Sequence, residues 1–465
     1  MQVKGKKILV VGLARSGAAI ALFLKKNGAV VTVTDKADAK DLGSLASEME
    51  ESGIECELGY HNTESFIRSD LIVLSPGVPH TISYVKQAKD LLVPVIGEVE
   101  LASKFIEEPI IAITGTNGKT TTTTLISLML EASGFNIFTG GNIGVPLIKY
   151  ADMAEESKKE GYSGNFQKSD YVVVELSSFQ LDTIETFRPH IAALLNITDD
   201  HLDRYSDFNS YARSKGRIFE NQMQDDIAII NGDDITSLDL GKVLQNKKYI
   251  FGAQGSGYSA VICRNKITFN LPGRETFTVD LSASKLFGKH NRENIAAAAL
   301  TAFSVGCTID AVESVIAEFK GLPNRIEYVD SVDSTECYND SKATNIDAVQ
   351  RALEAFDDKV ILIMGGRNKG GSFLGLKNAV KEKVSEIIAI GESASEIVAT
   401  LGRIVKTTEA GSLEEATEKA CRKAKAGESV LFSPACSSFD MFNNYEHRGD
   451  VFRNAVRLLK AKRNG

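Results

Sequence analysis

Short runs of β-branched and aliphatic residues recur along almost the whole chain, and an amphipathic helical pattern separates each from the next. The runs are Ile8–Val11, Val30–Thr34, Leu71–Leu74, Ile110–Thr114, Tyr171–Val174, Ile191–Asn196 and Ile227–Asn231, then Val360–Met364, Ile387–Ile390 and Val430–Phe432. They are continuously apolar, so both faces of each strand must be covered. Parallel sheets with helices on both faces meet that demand, and the fold class is α/β. No period of 20–50 residues repeats, which excludes a solenoid.

At 465 residues the chain has room for about three domains of roughly 150 residues. Two breaks divide it. Near Pro94–Gly97 a strand ends, and the helix Glu98–Phe105 leads into a new strand at Ile110. Near Gly321–Pro323 the Ala-rich helix Asn291–Gly306 and its successor have ended, and a fresh strand-first pattern begins. Three α/β domains are expected, at 1–97, 98–321 and 322–465. The polar, aperiodic stretch Ala154–Ser169 reads as a surface loop.

The balance of 53 Lys and Arg against 61 Asp and Glu gives a formal charge of −8, a surface that repels nucleic acid and anionic membranes. Neither is an expected partner, and any phosphate ligand needs its own pocket. The six cysteines form no C-x-x-C pair, as for reduced thiols in the cytoplasm. Lys4, Lys6 and Lys7 precede an apolar run as in a signal peptide, but Arg15 interrupts it, and a strand–turn–helix fits better. No run reaches the ~18 apolar residues of a membrane span.

Several strand ends carry chemistry. The first strand runs into Gly12-Leu13-Ala14-Arg15-Ser16-Gly17, and Asp35 with Lys36 ends the second. This resembles a dinucleotide fingerprint in which glycines let a pyrophosphate approach a helix N-terminus, with Ala14 in place of the middle glycine; a plain βα turn is the competing reading. Ser75-Pro76-Gly77 ends a strand of the same sheet. A stronger signal is Gly115-Thr116-Asn117-Gly118-Lys119-Thr120-Thr121, between a buried strand and an apolar helix. Backbone N–H groups of such a loop cradle phosphates, its lysine reaches the β- and γ-phosphates, and the Thr120 hydroxyl binds Mg²⁺, so ATP is the expected ligand. Glu175 ends the next buried strand, where a phosphate-loop enzyme holds magnesium, and His201 follows another strand among carboxylates. Lys215, by periodicity, is a solvated lysine of the helix running to Phe219. In the last domain, Asn339–Asn345, Met364–Gly371 and Ser433–Asp440 are polar clusters at strand ends, where open sheets bind ligands. A dehydrogenase would account for Gly12–Asp35 but not Lys119, and an ATP-binding switch for Lys119 but not the clusters at Lys369 and Ser438.

Taken together, Thr114–Thr121, Asp200-His201, His290-Asn291 and Gly321–Arg325 resemble elements shared by the Mur ligases, ATP-dependent amide-bond enzymes of peptidoglycan precursor synthesis. Glu175–Leu181, Asn339–Asn345 and Ser433–Ser438 are most similar to the D-glutamate-adding branch. The resemblance covers essentially the whole chain. It implies a Rossmann-like N-terminal domain, a P-loop ATPase-like central domain and a Rossmann-like C-terminal domain. It also implies a cytoplasmic monomer that joins D-glutamate to UDP-N-acetylmuramoyl-L-alanine. By resemblance, Gly12, Leu13, Ala14, Arg15, Ser16, Asp35, Lys36, Ser75, Pro76 and Gly77 hold the uridine diphosphate, and Asn142 reaches the sugar-peptide. ATP falls to Gly115–Thr121, Asn291 and Asn294, with Arg325, Asp340 and Lys342 reaching it across domains. Two magnesium ions fall to Thr120, Glu175, His201 and Lys215, the last as a carbamate, and Lys119, His201 and Lys215 are the catalytic set. Thr344, Lys369, Ser438 and Tyr445 would hold D-glutamate, the last at a position that often carries Phe. No role is implied for the loop Ala154–Ser169.

Overall fold

The computed structural model describes residues 1–199, 204–286, 288–356 and 358–464. They form three sheets. The N-terminal sheet has five parallel strands in the order Glu55–Leu58, Val30–Asp35, Lys7–Val11, Leu71–Leu74, Val95–Gly97. The central sheet has nine strands. Seven are parallel, ordered Ile137–Gly141, Tyr171–Glu175, Ile110–Thr114, Ile191–Leu194, Ile227–Asn231, Lys247–Gly252, Ala260–Ile262. Lys266–Phe269 and Phe277–Asp280 extend it antiparallel. The C-terminal sheet runs Glu327–Val332, Thr335–Asn339, Ser429–Phe432, Val360–Gly365, Val384–Ile390, Lys406–Glu409, with only its first strand antiparallel. The edge hairpins are the antiparallel minority of otherwise parallel sheets, as the α/β reading expects. Their strands are short and polar on one side, so the apolar-run criterion passes over them.

Alternate residues of each central strand enter different cores, as a period of two requires. Ile8 and Val10 pack with Phe23 and Leu24 of the helix Arg15–Lys26, while Leu9 and Val11 pack with Phe66, Val85 and Ala88 on the other face. Ile110 and Ala112 likewise part from Ile111 and Ile113, and Val360, Leu362 and Met364 from Ile361 and Ile363. The core on one face of the N-terminal sheet continues through the helix Glu98–Ser103 into the central one. Two buried carboxylates on that helix fix the junction. Glu98 accepts from Ile148 N at 2.7 Å, and Glu100 from the backbone N–H groups of Glu185, Thr186 and Phe187. Burial pushes the Glu98 pKa up to about 7.

The stretch Ala154–Ser169 is a loop only after its first turn, because the helix Leu147–Ser157 covers its start. Tyr150 anchors the remainder, its ring 5.6 Å from that of Phe166 and its hydroxyl accepting from Ser169 N. No helix among the described residues is long and apolar enough to cross a membrane.

Candidate active site

The first crevice opens where strand order reverses in the N-terminal sheet, between the neighbouring strands Lys7–Val11 and Leu71–Leu74. Ligands of open α/β sheets bind at such a point. Gly12 has φ +96°, and a Cβ there would stand 2.6 Å from Val78 Cγ2; one on Gly17 would stand 1.8 Å from Gly12 O. Strand end and helix start therefore approach as only glycines allow. Asp35 braces the loops from below, Oδ2 accepting from Leu13 N at 2.6 Å and Oδ1 from Ala37 N at 2.8 Å. Ala14 caps the helix without a side-chain bond, and Ser75 is buried beside Gly12 and Gly17. Arg15, Lys36 and Gly77 are exposed around the crevice, and Arg15 reaches Gly144 O of the central domain at 3.1 Å.

In the central domain the helix Lys119–Ala132 starts directly at the loop 115–118, nearly two turns before the apolar stretch that begins at Leu125. Gly118 caps it at φ +85°, where a Cβ would lie 2.2 Å from Asn294 Oδ1. Asn117 and Asn196 clamp the loop reciprocally, Asn117 N to Asn196 Oδ1 at 2.9 Å and Asn196 Nδ2 to Asn117 O at 3.0 Å. Thr116 Oγ1 lies 3.2 Å from the Tyr211 hydroxyl. Lys119 Nζ folds over the loop, donating to Gly115 O at 2.8 Å and Thr116 O at 2.9 Å.

Glu175 ends the strand beside that loop, paired in register with Ile113. Asn142 Nδ2 donates to its Oε1 at 2.9 Å. Its Oε2 is buried with no hydrogen-bond partner among the described residues. Lys215 is 2% exposed, which corrects the solvated reading. The helix Phe208–Gly216 turns Tyr211, Ser214 and Lys215 inward, and Lys215 lies one turn beyond Tyr211 on the same face. Lys215 Nζ donates to Gly115 O at 2.9 Å and stands 4.7 Å from the centre of the Tyr211 ring. Lys119 and Lys215 thus meet on one carbonyl. His201 lies outside the described residues.

A cavity between the central and C-terminal domains gathers Asn117, Gly118, Thr121, Asn291, Asn294, Arg325, Asp340 and Lys342. Arg325 crosses to the phosphate loop, NH2 donating to Thr120 Oγ1 at 2.8 Å. Burial pushes the Asp340 pKa up to about 7, although Ser433 Oγ donates to it at 2.7 Å. Lys342 is pushed down to about 8, mainly by burial and next by the Arg325 charge. Burial, with Arg351, Arg292 and Arg325 nearby, lowers His290 to about 3 and leaves its imidazole neutral.

A second cavity, of about 450 Å³, joins Thr344 and Lys369 with Thr198, Asp199, Asp347 and Asn368. The other two residues expected there stand elsewhere. Ser438 is buried at the start of a turn, its carbonyl accepting from Phe442 N, and the Tyr445 ring lies under Lys342 Nζ at 3.7 Å.

Sequence reasoning missed Arg448, which is 1% exposed. Its guanidinium donates to Ser341 Oγ at 3.0 Å, Ser341 O at 2.7 Å and Cys436 O at 3.1 Å. It therefore ties the Asn339–Asn345 loop to the Ser433–Ser438 loop. A lone arginine on a C-terminal helix carries no motif. The signal available was its spacing, one turn after Tyr445 on the helix Tyr445–Asn464.

Known proteins share this architecture and much of the sequence. The family described as Mur ligase MurD-like, N-terminal domain matches residues 6–97, Mur ligase middle domain 113–302, and Mur ligase, glutamate ligase domain 324–436. A UDP-N-acetylmuramoylalanine--D-glutamate ligase of Desulfosudis oleivorans is 46% identical over 99% of this chain and 98% of its own length. One from Geobacter sp. is also 46% identical, over 99% of each chain. Among solved structures, a pseudomurein peptide ligase type C from Methanothermus fervidus aligns with TM-score 0.60 and 19% identity, over 98% of this chain and 100% of its own. MurF ligase from Thermotoga maritima, in complex with ADP, gives 0.60 and 17% over 99% and 96%. At these identities the two structures speak for the fold alone. With all three segments matched and relatives nearly half identical end to end, the chain belongs to the Mur ligase family.

Proposed function

We propose that this chain is an ATP-dependent ligase that adds D-glutamate to UDP-N-acetylmuramoyl-L-alanine, releasing ADP and phosphate, in peptidoglycan precursor synthesis. The observation that carries the reading is 46% identity over 99% of the chain to relatives that bear that name. In this reading the N-terminal crevice takes the uridine diphosphate through Gly12–Ser16, Asp35, Lys36 and Ser75–Gly77. The phosphate loop, with Asn291, Asn294, Arg325, Asp340 and Lys342, takes ATP. Thr344 and Lys369 take D-glutamate, with Ser438 and Tyr445 joining them when the Ser433–Ser438 loop and the start of the helix Tyr445–Asn464 move toward the cavity.

The residues around the phosphate loop suit magnesium. Glu175 Oε2 is a buried carboxyl oxygen without a donor among the described residues, which a hard divalent cation would satisfy. Thr120, Glu175 and Lys215 would hold the two ions expected, Lys215 as a carbamate, with His201 completing the set on sequence grounds. Bound there, magnesium neutralises charge on the transferring phosphoryl group.

A carboxylate is a poor electrophile, so the alanyl carboxylate oxygen attacks the γ-phosphorus and ADP leaves, giving an acyl phosphate. The amine of D-glutamate then attacks the acyl carbon, phosphate departs and the amine loses a proton. Positioning and charge neutralisation supply most of the acceleration in phosphoryl transfer. Lys119 sits on the loop that would cradle the β- and γ-phosphates, and Arg325 and Lys342 add positive charge from the opposite wall. The acyl phosphate is open to hydrolysis, so a site walled by two domains protects it.

Phosphate release with UDP-N-acetylmuramoyl-L-alanine, ATP and a panel of amino acids tests the proposal. Release confined to D-glutamate is expected. Equal use of L-glutamate, or release independent of the muramoyl substrate, would overturn it.

A further inference from the structure

Several contacts join the C-terminal domain to the nucleotide side of the central domain, and two start on one helix. The helix Ile346–Glu354 is capped by Asn345, whose Oδ1 accepts from Ala348 N at 2.8 Å. Asp347, its second residue, accepts at Oδ2 from Asn117 Nδ2 of the phosphate loop at 2.5 Å. The same oxygen accepts from Arg351 Nε at 2.9 Å. One turn on, Arg351 NH1 stands 3.7 Å from Glu293 Oε2 on the helix Lys289–Ser304.

This turn of helix is a wall shared by two cavities. Asp347 lines the one that holds Thr344 and Lys369, while Asn117 and Arg351 line the one that holds Arg325 and Lys342. An isolated carboxylate beside a phosphate loop would repel its ligand. Here Arg351 pairs with it, so the pair tethers the loop without adding net negative charge. Burial opposes the charge on Arg351, but Asp347 and Glu293 outweigh it and the guanidinium stays ionised. Asp347 is therefore fixed from both sides of the domain boundary.

We infer that Asp347 is a positioning residue that couples the nucleotide and acceptor sites, holding Asn117 of the phosphate loop to the same helical turn that walls the acceptor cavity. The identity of the two ligands rests on the proposed function. Filling either cavity steadies the Asp347–Asn117 link, which favours filling of the other. Linkage requires the effect to be reciprocal, each ligand changing the affinity of the other by the same factor.

The test titrates a non-hydrolysable ATP analogue into the full chain with UDP-N-acetylmuramoyl-L-alanine present throughout, with and without saturating D-glutamate. In the unaltered protein D-glutamate should tighten the analogue by about fivefold or more, the lower end of ordinary coupling. Asp347→Ala should bring that factor below about twofold. Asp347→Asn keeps an acceptor for Asn117 but loses the ion pair with Arg351, and should give an intermediate factor. A wild-type factor in Asp347→Ala, or no coupling in the unaltered protein, overturns the inference. Should Asp347→Ala not fold, Asp347→Asn decides: an undiminished factor refutes the assignment. If D-glutamate fails to bind but another amino acid is turned over, the proposed function falls, and the coupling measured with that amino acid still tests Asp347.

Discussion

Replacing Lys342 by methionine should remove a pH dependence from nucleotide binding. Lys342 Nζ lies 3.7 Å above the Tyr445 ring in the cavity shared with Arg325, and its pKa is pushed down to about 8 by burial and then by Arg325. Its charged fraction then drops from roughly nine-tenths at pH 7 to roughly one-tenth at pH 9. An ammonium about 4 Å from a phosphate gains roughly 4 kcal/mol at an effective dielectric of 20, which lifts its pKa in the complex by up to ~3 units. The pKa is thus higher in the complex than in the free protein. The contribution is full well below pH 8 and is lost progressively as the pH rises from that value toward the higher pKa of the complex. Affinity for an ATP analogue should fall about fifteenfold from pH 8 to 9.5, and roughly thirtyfold from pH 7, the slope approaching tenfold per unit above pH 9. Calorimetric titration at fixed magnesium over pH 7–9.5 measures this, since the nucleotide phosphates are already ionised there. Lys342→Met should bind more weakly at pH 7 and show a flat profile, and Lys342→Arg should bind tightly and also be flat. A flat wild-type profile, or the wild-type slope persisting in Lys342→Met, would refute the reasoning.

Lys119→Ala should abolish ATP turnover and leave UDP-substrate binding nearly intact, because a different sheet carries the Gly12 and Ser75 loops; equal loss of both in a binding assay would contradict that division. Lys369→Ala should raise the acceptor KM by about tenfold or more, from loss of one charge-assisted hydrogen bond worth roughly 1.5–3 kcal/mol; an unchanged KM removes it from the site. Lys215→Ala should be nearly inactive and partly rescued by acetate or formate, and Lys215→Arg should fail because it cannot carry a carbamate. Mass spectrometry of the intact protein reads the modification independently of activity, and full activity in Lys215→Arg would exclude it.

The strands at the middle of each sheet were legible in the sequence because both their faces are buried, which forces unbroken apolar runs such as Ile110–Thr114 and Val360–Met364. The edge strands Lys266–Phe269 and Phe277–Asp280 carry no such run and emerged only in three dimensions. The phosphate loop was legible for a backbone reason. Gly118 must take a left-handed conformation and admit Asn294, so the chain spells the loop out locally.

The sequence by itself therefore determined the α/β class, the three strand-first units and the positions of the glycine-rich and polar loops at the strand ends, because each depends on local periodicity or on backbone conformation. Only the tertiary structure decided what those loops face. It buried Lys215 against Gly115, left Glu175 Oε2 without a donor among the described residues, set the Tyr445 ring beside Lys342 and not beside Thr344 and Lys369, and set Asp347 against Asn117. The three contacts join residues 100 to 230 positions apart. Burial and charge contact then follow from how domains pack, which no local pattern encodes.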